Sequence, residues 1–351
     1  MHTRTHASTP ALSHNSQVLA LARPSTDTAP LEARAAAAAP GGAALLSIAR
    51  LDLSSPGAGA AVCAALMAAA AGSPATPRPL ALINVVGVRD LAVPDAAIRS
   101  VLTHGTRALW GGCVSSGRVS RFVSIAGGIH RTAGGAPNRT MVHNAAREDA
   151  LEVAAAEARA GWEAGEGRGQ PPTTPSLTIL DPSVYFKDAA SIFSMIARKS
   201  PPSLTLIEGG WGVRCAPISG RDLAGALLGA ALGPPQRPPA AVTRFSVGGL
   251  QVVTFGELAD AAASALAGVQ GSACRRVTLP RWAAQAAWTA ASMLGAAGSK
   301  KALGLARLLS FLWVVCTDES PGGLVGEVRV GQDTVSDLFA ELAGRMGERR
   351  G

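Results

Sequence analysis

His143 and Arg147 stand four residues apart in a helix-length, alanine-rich stretch running from Met141 to Trp162. On a helix that spacing puts both side chains on one face. An imidazole there could pass a proton near neutral pH, beside a guanidinium that stays charged. A solvated pair on an exposed helix face would show the same spacing, so both readings stand at this level. The chain has one tyrosine, Tyr185, and the residue four positions on is Ala189. No Tyr-x-x-x-Lys pair therefore exists in which a lysine could lower a phenol's pKa for proton transfer. The five cysteines, Cys63, Cys113, Cys215, Cys274 and Cys316, form no C-x-x-C pair and are odd in number. Neither a metal site nor a disulfide framework is indicated, and reduced, mostly buried thiols are expected.

The elements that must position such groups are legible as an alternation. Short apolar runs lie at Gln17 to Ala22, Ala44 to Ile48, Leu80 to Val86, Val119 to Ile125 and Leu177 to Leu180. Continuous apolar runs of this length suit strands buried on both faces of a parallel sheet. Helix-length segments separate them: Pro56 to Ala71, Asp95 to Ser115 with Asp95 placed to cap it, and Met141 to Trp162. The alternation predicts an α/β, doubly wound parallel sheet with right-handed crossovers. Gly165 to Pro175 and Gly233 to Pro239 read as loops. Beyond the second comes a strand, Arg244 to Val247, then a turn at Gly248-Gly249 and a helix from Thr254 to Leu266. Thr254 and Glu257 form a capping box. Further helices starting near Pro280 and over Thr334 to Met346 predict a small, mostly helical C-terminal lobe.

Composition narrows the partners. The 351 residues are 48% hydrophobic and only 16% charged, so a substantial core is expected. The net charge is +8, but the arginines are scattered and aromatics are 4%, which argues against a nucleic-acid surface. Trp282 to Gly298 and Ser310 to Cys316 carry no charge. Both fall short of the ~20 residues that a spanning helix needs, so no transmembrane span is expected. Trp282, Trp288, Leu308, Phe311 and Trp313 leave a membrane-surface contact open, although core packing in the C-terminal lobe is the simpler expectation. The first 26 residues contain Arg, Ser, Thr and His but no acid, a composition shared with transit peptides. A cytoplasmic or organellar setting, rather than a secreted one, fits the cysteine usage.

Several segments, taken in order, resemble the atypical short-chain dehydrogenase/reductase family, of NmrA-like and divinyl-reductase-like type. QVLALAR at 17–23 resembles its second strand, RLDLSSP at 50–56 the segment after its third, and ALINVVGV at 81–88 its fourth. SRFVS at 120–124 resembles the fifth strand and LTILDPSVYF at 177–186 the sixth. Pro217-Ile218 with Asp222-Leu223-Ala224 is similar to the family's substrate-lobe signature. The resemblance implies a Rossmann-like NAD(P)-binding domain over residues 17–232 and a substrate lobe of the same fold over 240–346. Residues 1–16 would be a disordered or remnant segment.

The resemblance also implies site residues. Arg23, Asp52, Leu53, Asn84, Gly87 and Pro182 would border a dinucleotide. Arg23 would favour NADPH over NADH by pairing with the 2′-phosphate. His143 and Arg147 would stand where the family keeps its proton-transfer groups, and Ser124 would take the place of the family's serine with a shift of one or two residues from the ungapped position, Ala126. Asp52 serves equally as a turn or capping residue ahead of Ser54-Ser55-Pro56, and Gly87 as a strand-ending turn. Asp181 replaces an arginine usual in the family, which disfavours an anionic ligand nearby. The family's first strand and GxxGxxG loop are missing, since no glycine precedes Gly41. In the order 3-2-1-4-5-6 that strand is central, so strands two and four should face a gap or close up differently. Each buried backbone group left unpaired there would cost about 1–3 kcal/mol. Two functions follow from the resemblance. One is reduction of a small or lipophilic substrate by an NAD(P)-dependent oxidoreductase. The other is a non-catalytic relative that senses the cofactor or serves as an assembly or structural subunit.

Overall fold

A computed structural model describes residues 18–22, 46–71, 80–85, 95–126, 139–163, 174–197, 203–233, 242–270, 275–299, 301–306 and 326–348, with a few single positions at 27–29, 32–33, 36, 309 and 313. Along the first half run β1 (Val18–Ala22), β2 (Leu46–Arg50), α1 (Ala58–Ala71), β3 (Leu80–Asn84), α2 (Asp95–Arg99), α3 (Gly105–Ser116), β4 (Val119–Ile125), α4 (Arg139–Glu163) and β5 (Ser176–Pro182). The second half adds α5 (Phe186–Ala197), β6 (Ser203–Ile207), β7 (Arg214–Cys215), α6 (Gly220–Leu232), β8 (Val242–Gly249), β9 (Val253–Thr254), α7 (Phe255–Gln270), β10 (Arg275–Leu279), α8 (Arg281–Ala296), β11 (Val328–Val330) and α9 (Val335–Glu348).

Five strands form one parallel sheet in the order β11-β8-β5-β4-β3. Successive side chains on a strand point to opposite faces, so an unbroken apolar run needs both faces covered. That is what these strands find. Phe122, Leu177 and Ile179 pack with Val62 and Leu66 of α1, Leu109 and Trp110 of α3 and Leu151 of α4. Their sequence neighbours Val123 and Leu180 turn the other way, onto Leu223 and Leu227 of α6. Burying each such side chain contributes roughly 1.5–3 kcal/mol. The α/β doubly wound expectation therefore holds for the central sheet.

The sheet is nonetheless split. β1 and β2 pair in parallel as a separate two-stranded ladder, and β3 ends the five-stranded one. Residues 17–22 thus do not share a sheet with 80–86 among the described residues, as a single continuous sheet would require. β1 still reaches the shared core, where Leu19 and Leu21 pack against its edge.

The stretch Asp95 to Ser115, expected as one helix, is interrupted. Ser100–His104 forms a turn of π-helix between α2 and α3. The wider turn lets Leu53 pack on Gly105, where an added Cβ would sit 3.1 Å from the Leu53 Cβ. α1 and α3 then cross closely at Gly112, whose missing Cβ would lie 2.7 Å from Val62.

A second core forms the lobe. It joins Phe193 of α5, Leu206 of β6, Leu258 of α7 and Phe339 of α9, with the Phe193 and Phe339 rings stacked at 5.5 Å. β6 and β10 pair in parallel, and β7 and β9 antiparallel. The two cores interleave along the chain: residues 186–215 serve the lobe, whereas β8 and β11 extend the large sheet. The capping box at Thr254 and Glu257 is formed, Glu257 N–H donating to Thr254 Oγ1 at 3.0 Å and Thr254 N–H to Glu257 Oε2 at 2.6 Å. Pro280 caps α8 as its position suggested. Trp282, however, is 75% exposed, so core packing does not account for it. Trp313 does pack against the lobe core, while Leu308 and Phe311 lie outside the described residues. No helix among the described residues is long and apolar enough to cross a membrane.

Candidate functional site

All strands of a parallel sheet end on one side, and ligands of open α/β sheets gather there. β3 ends at Asn84, β4 at Ile125 and β5 at Pro182. Asn84 and Ser124 are register partners across the β3–β4 ladder. Asn84 Nδ2 donates to Ser124 Oγ at 3.3 Å, and both residues are buried. Polar groups at such depth are costly unless bonded, so the two hold each other in place. Pro182 is buried opposite Val247 of β8. The next residue, Ser183, donates its N–H to the Val247 carbonyl at 2.8 Å and accepts from the Ala216 N–H at 3.2 Å. These bonds fix the point where the chain leaves the sheet for the lobe.

Arg147 joins this edge from α4. It is buried, donates through Nη2 to the Ile125 carbonyl at 2.6 Å and lies 3.6 Å from Glu148 Oε1. Burial pulls its pKa below the usual arginine value, against the opposing pull of Glu148. The picture of a solvated arginine on a helix face therefore fails for Arg147, which ties α4 to the end of β4. His143 lies one turn earlier on α4, and its side chain is outside the described residues.

Beside Arg147 sits a cluster that its sequence neighbours conceal. Arg244 of β8 donates to Glu148 Oε2 at 2.8 Å, Asp181 Oδ2 at 2.9 Å and Glu152 Oε1 at 2.9 Å. Burial works against its charge, but the carboxylates outweigh it and hold Arg244 above the usual range. Asp181 is thus bonded to a guanidinium rather than facing a ligand alone. Two guanidiniums (Arg147, Arg244) and three carboxylates (Glu148, Glu152, Asp181) thus gather at this edge. The available signal was Glu148 and Glu152 at i, i+4 on one helix face, a repulsive pairing that calls for a shared cation.

Asp52 stands away from the five-stranded sheet, after β2. Its carboxylate accepts from the Ser54 N–H at 2.9 Å and Ser54 Oγ at 2.6 Å, and its carbonyl accepts from Ser55 Oγ at 2.8 Å. This is the turn arrangement ahead of α1, with Leu53 half-buried beside Gly105. Arg23 and Gly87 lie outside the described residues. No group of three or more potential metal ligands gathers among the described residues.

Burial raises the thiols of Cys113 and Cys215 to about 12, with a smaller contribution from Cys63 at the first and Glu257 at the second. Both stay protonated near neutral pH, whereas Cys63 is half-buried. Alkylation of the native chain at pH 8, followed by peptide mass spectrometry, is expected to modify Cys63 well before Cys113 or Cys215. Equal labelling would contradict the packing of α3 and β7.

No protein-family model matches the chain, and no curated protein matches it in sequence. Solved structures do match its fold. The UDP-Glc/GlcNAc 4-epimerase of Campylobacter jejuni superposes with a TM-score of 0.57 at 12% identity, covering 96% of this chain and 93% of that one. The Bordetella bronchiseptica enzyme WbmG, in complex with NAD and UDP, gives 0.56 at 10% identity over 94% and 88%. The NADPH-dependent quinone oxidoreductase QOR2 of Escherichia coli, complexed with NADPH, gives 0.55 at 15% identity over 93% and 90%. The chain therefore has the Rossmann-like α/β fold of these enzymes, and at such identities the likeness is one of fold.

Proposed function

We propose that the chain is an NAD(P)-binding protein of atypical short-chain dehydrogenase/reductase type, holding a nicotinamide dinucleotide along the carboxyl edge of its parallel sheet. The observation that carries this reading is the convergence of Asn84, Ser124, Arg147 and Pro182 on that one edge. In the proposal Asn84 and Ser124 line the nicotinamide end, Pro182 bounds it from β5, and Asp52 and Leu53 flank the adenine. The carboxylates of Asp181, Glu148 and Glu152 gathered around Arg244 favour a neutral substrate end over an anionic one. Arg23, by its place in the resemblance, gives the preference for NADPH.

The chain's own groups suit binding better than proton transfer. Arg147 is committed to a backbone carbonyl and a carboxylate, and Tyr185 is not followed by the lysine that would activate it. We therefore place the non-catalytic reading, a cofactor sensor or a subunit of a larger assembly, ahead of the reductase. The reductase reading keeps one point in its favour, the Ser124 hydroxyl buried at the sheet edge with His143 on the neighbouring helix.

NADPH fluorescence decides between them. Titration is expected to show saturable binding, and incubation with simple carbonyl substrates to leave the bound NADPH unoxidised. Turnover would restore the reductase. No binding at about 1 mM, the upper end of ordinary substrate affinities, would leave the scaffold role alone. Arg23→Ala is expected to weaken NADPH binding far more than NADH binding; equal losses would remove Arg23 from the site.

A further inference from the structure

The apolar face of α8 has no partner among the described residues. After Arg281 the helix carries no charge, and only Gln285, Thr289 and Ser292 are polar. Only its Ala284 and Ala291 are buried, Ala284 in the lobe core. Trp282, Ala286, Ala290 and Leu294 follow one another at four-residue spacing along its outer side. Trp282 is 75% exposed, Met293 69% and Leu294 59%. A helix that is apolar nearly all round belongs in a core or in lipid. Soluble surfaces seldom leave such a stripe open without a use for it.

Charge identifies the occupant. From residue 261 to 317 the sequence has no Asp or Glu but has Arg275, Arg276, Arg281, Lys300, Lys301 and Arg307. Arg281 at the start of α8 and Lys301 just past its end are both exposed. Two acids nearby are exposed but engaged by protein groups: Asp260 binds Arg276, and Glu208 accepts from the Arg281 N–H. A second copy of the chain would set like charges against each other, because both ends of the stripe are basic. A nucleic acid would need stacking rings along a basic groove, not Met293 and Leu294 between two cations. An apolar stripe with tryptophan at one end and cations at both suits the headgroup boundary of a membrane.

We propose that α8 is a docking face for a bilayer surface carrying anionic phospholipid, with Trp282, Met293 and Leu294 entering the headgroup boundary and Arg281 and Lys301 meeting the lipid phosphates. The test is co-sedimentation of the full chain with phosphatidylcholine vesicles, with and without phosphatidylglycerol. The wild type is expected to sediment with the anionic vesicles, less so as salt rises, and to stay in solution with phosphatidylcholine alone. Trp282→Ala combined with Leu294→Ala is expected to lower the partition roughly tenfold or more, having removed most of the inserted apolar area. Lys301→Glu should lower it roughly fivefold or more on anionic vesicles. These side chains are exposed, so circular dichroism and melting should match the wild type. Failure to bind anionic vesicles, or equal binding to both kinds, overturns the proposal. A lipid-free dimer that Trp282→Ala dissolves would assign the face to a second copy. Stronger retention by a single-stranded polynucleotide than by vesicles would assign it to nucleic acid.

Discussion

Gly249→Ala is expected to destabilise the chain at or beyond the roughly 1–3 kcal/mol that overpacking usually costs. A Cβ at this position would lie 1.9 Å from the Pro217 carbonyl oxygen and 3.0 Å from its carbon. Both are backbone atoms, so no rotamer change relieves the clash. The approach is fixed from both sides. Gly249 N–H donates to the Ala216 carbonyl at 3.0 Å, and Ile218 N–H donates to Val184 at 2.8 Å. Glycine at 249 is what lets the end of β8 lie against the segment entering α6, beside the end of β5. A control with the opposite sign is Gly225→Ala inside α6, where an added methyl meets nothing within 4 Å. That change should stabilise by about 0.5–1 kcal/mol through helix propensity. Urea denaturation of both variants checks the pair, and a neutral Gly249→Ala would refute the close approach.

Arg244→Met should cost about 3–5 kcal/mol, the usual penalty for stranding a buried charge. The Glu148 side chain is 0% exposed and would lose a 2.8 Å bond, with Arg147 standing farther off at 3.6 Å. Asp181 would lose its 2.9 Å bond to the same guanidinium. Arg244→Lys should recover only part of the loss, since one ammonium cannot reach three carboxylates as a planar fork does. Glu152→Gln should cost much less, because that side chain is 35% exposed and Arg244 retains its other two partners. Chemical denaturation gives the ranking, and a Glu152→Gln loss equal to that of Arg244→Met would overturn the expectation that the half-exposed Glu152 bond is the minor one.

How far the sequence reveals the molecule depends on what each signal reports. Val119 to Ile125 is a strand over that same span, the runs at 177 and 244 lie within strands and the run from Leu80 is a strand as far as Asn84, because a double-faced apolar run has few alternatives in a parallel sheet. The Thr254 box formed because capping is a local interaction. Long-range pairing left no such trace. β6 and β10 are separated by most of the lobe, and Leu206 pairs with Thr278 without any pattern local to either. The site divides in the same way. Asn84 and Ser124 meet because their strands are register partners. The Arg244 network could not be foreseen from Arg147 alone, since it joins α4, β5 and β8. Arg147 itself shows the limit of spacing arguments: its place on the helix was fixed by periodicity, but its burial was set by where β4 ends.

The interleaving of the two cores bears on how the molecule can be taken apart. The chain crosses from sheet to lobe after β5, returns for β8, leaves again through α7 and returns for β11 before α9 closes the lobe. A cut after β5 would leave the lobe core on one fragment but would part α6 and β8 from β5 and so divide the other face of the sheet, so neither half should be excisable as an autonomous unit. A dinucleotide seated on the carboxyl edge would then brace both halves at once, and its stabilisation should register as a single shifted melting transition.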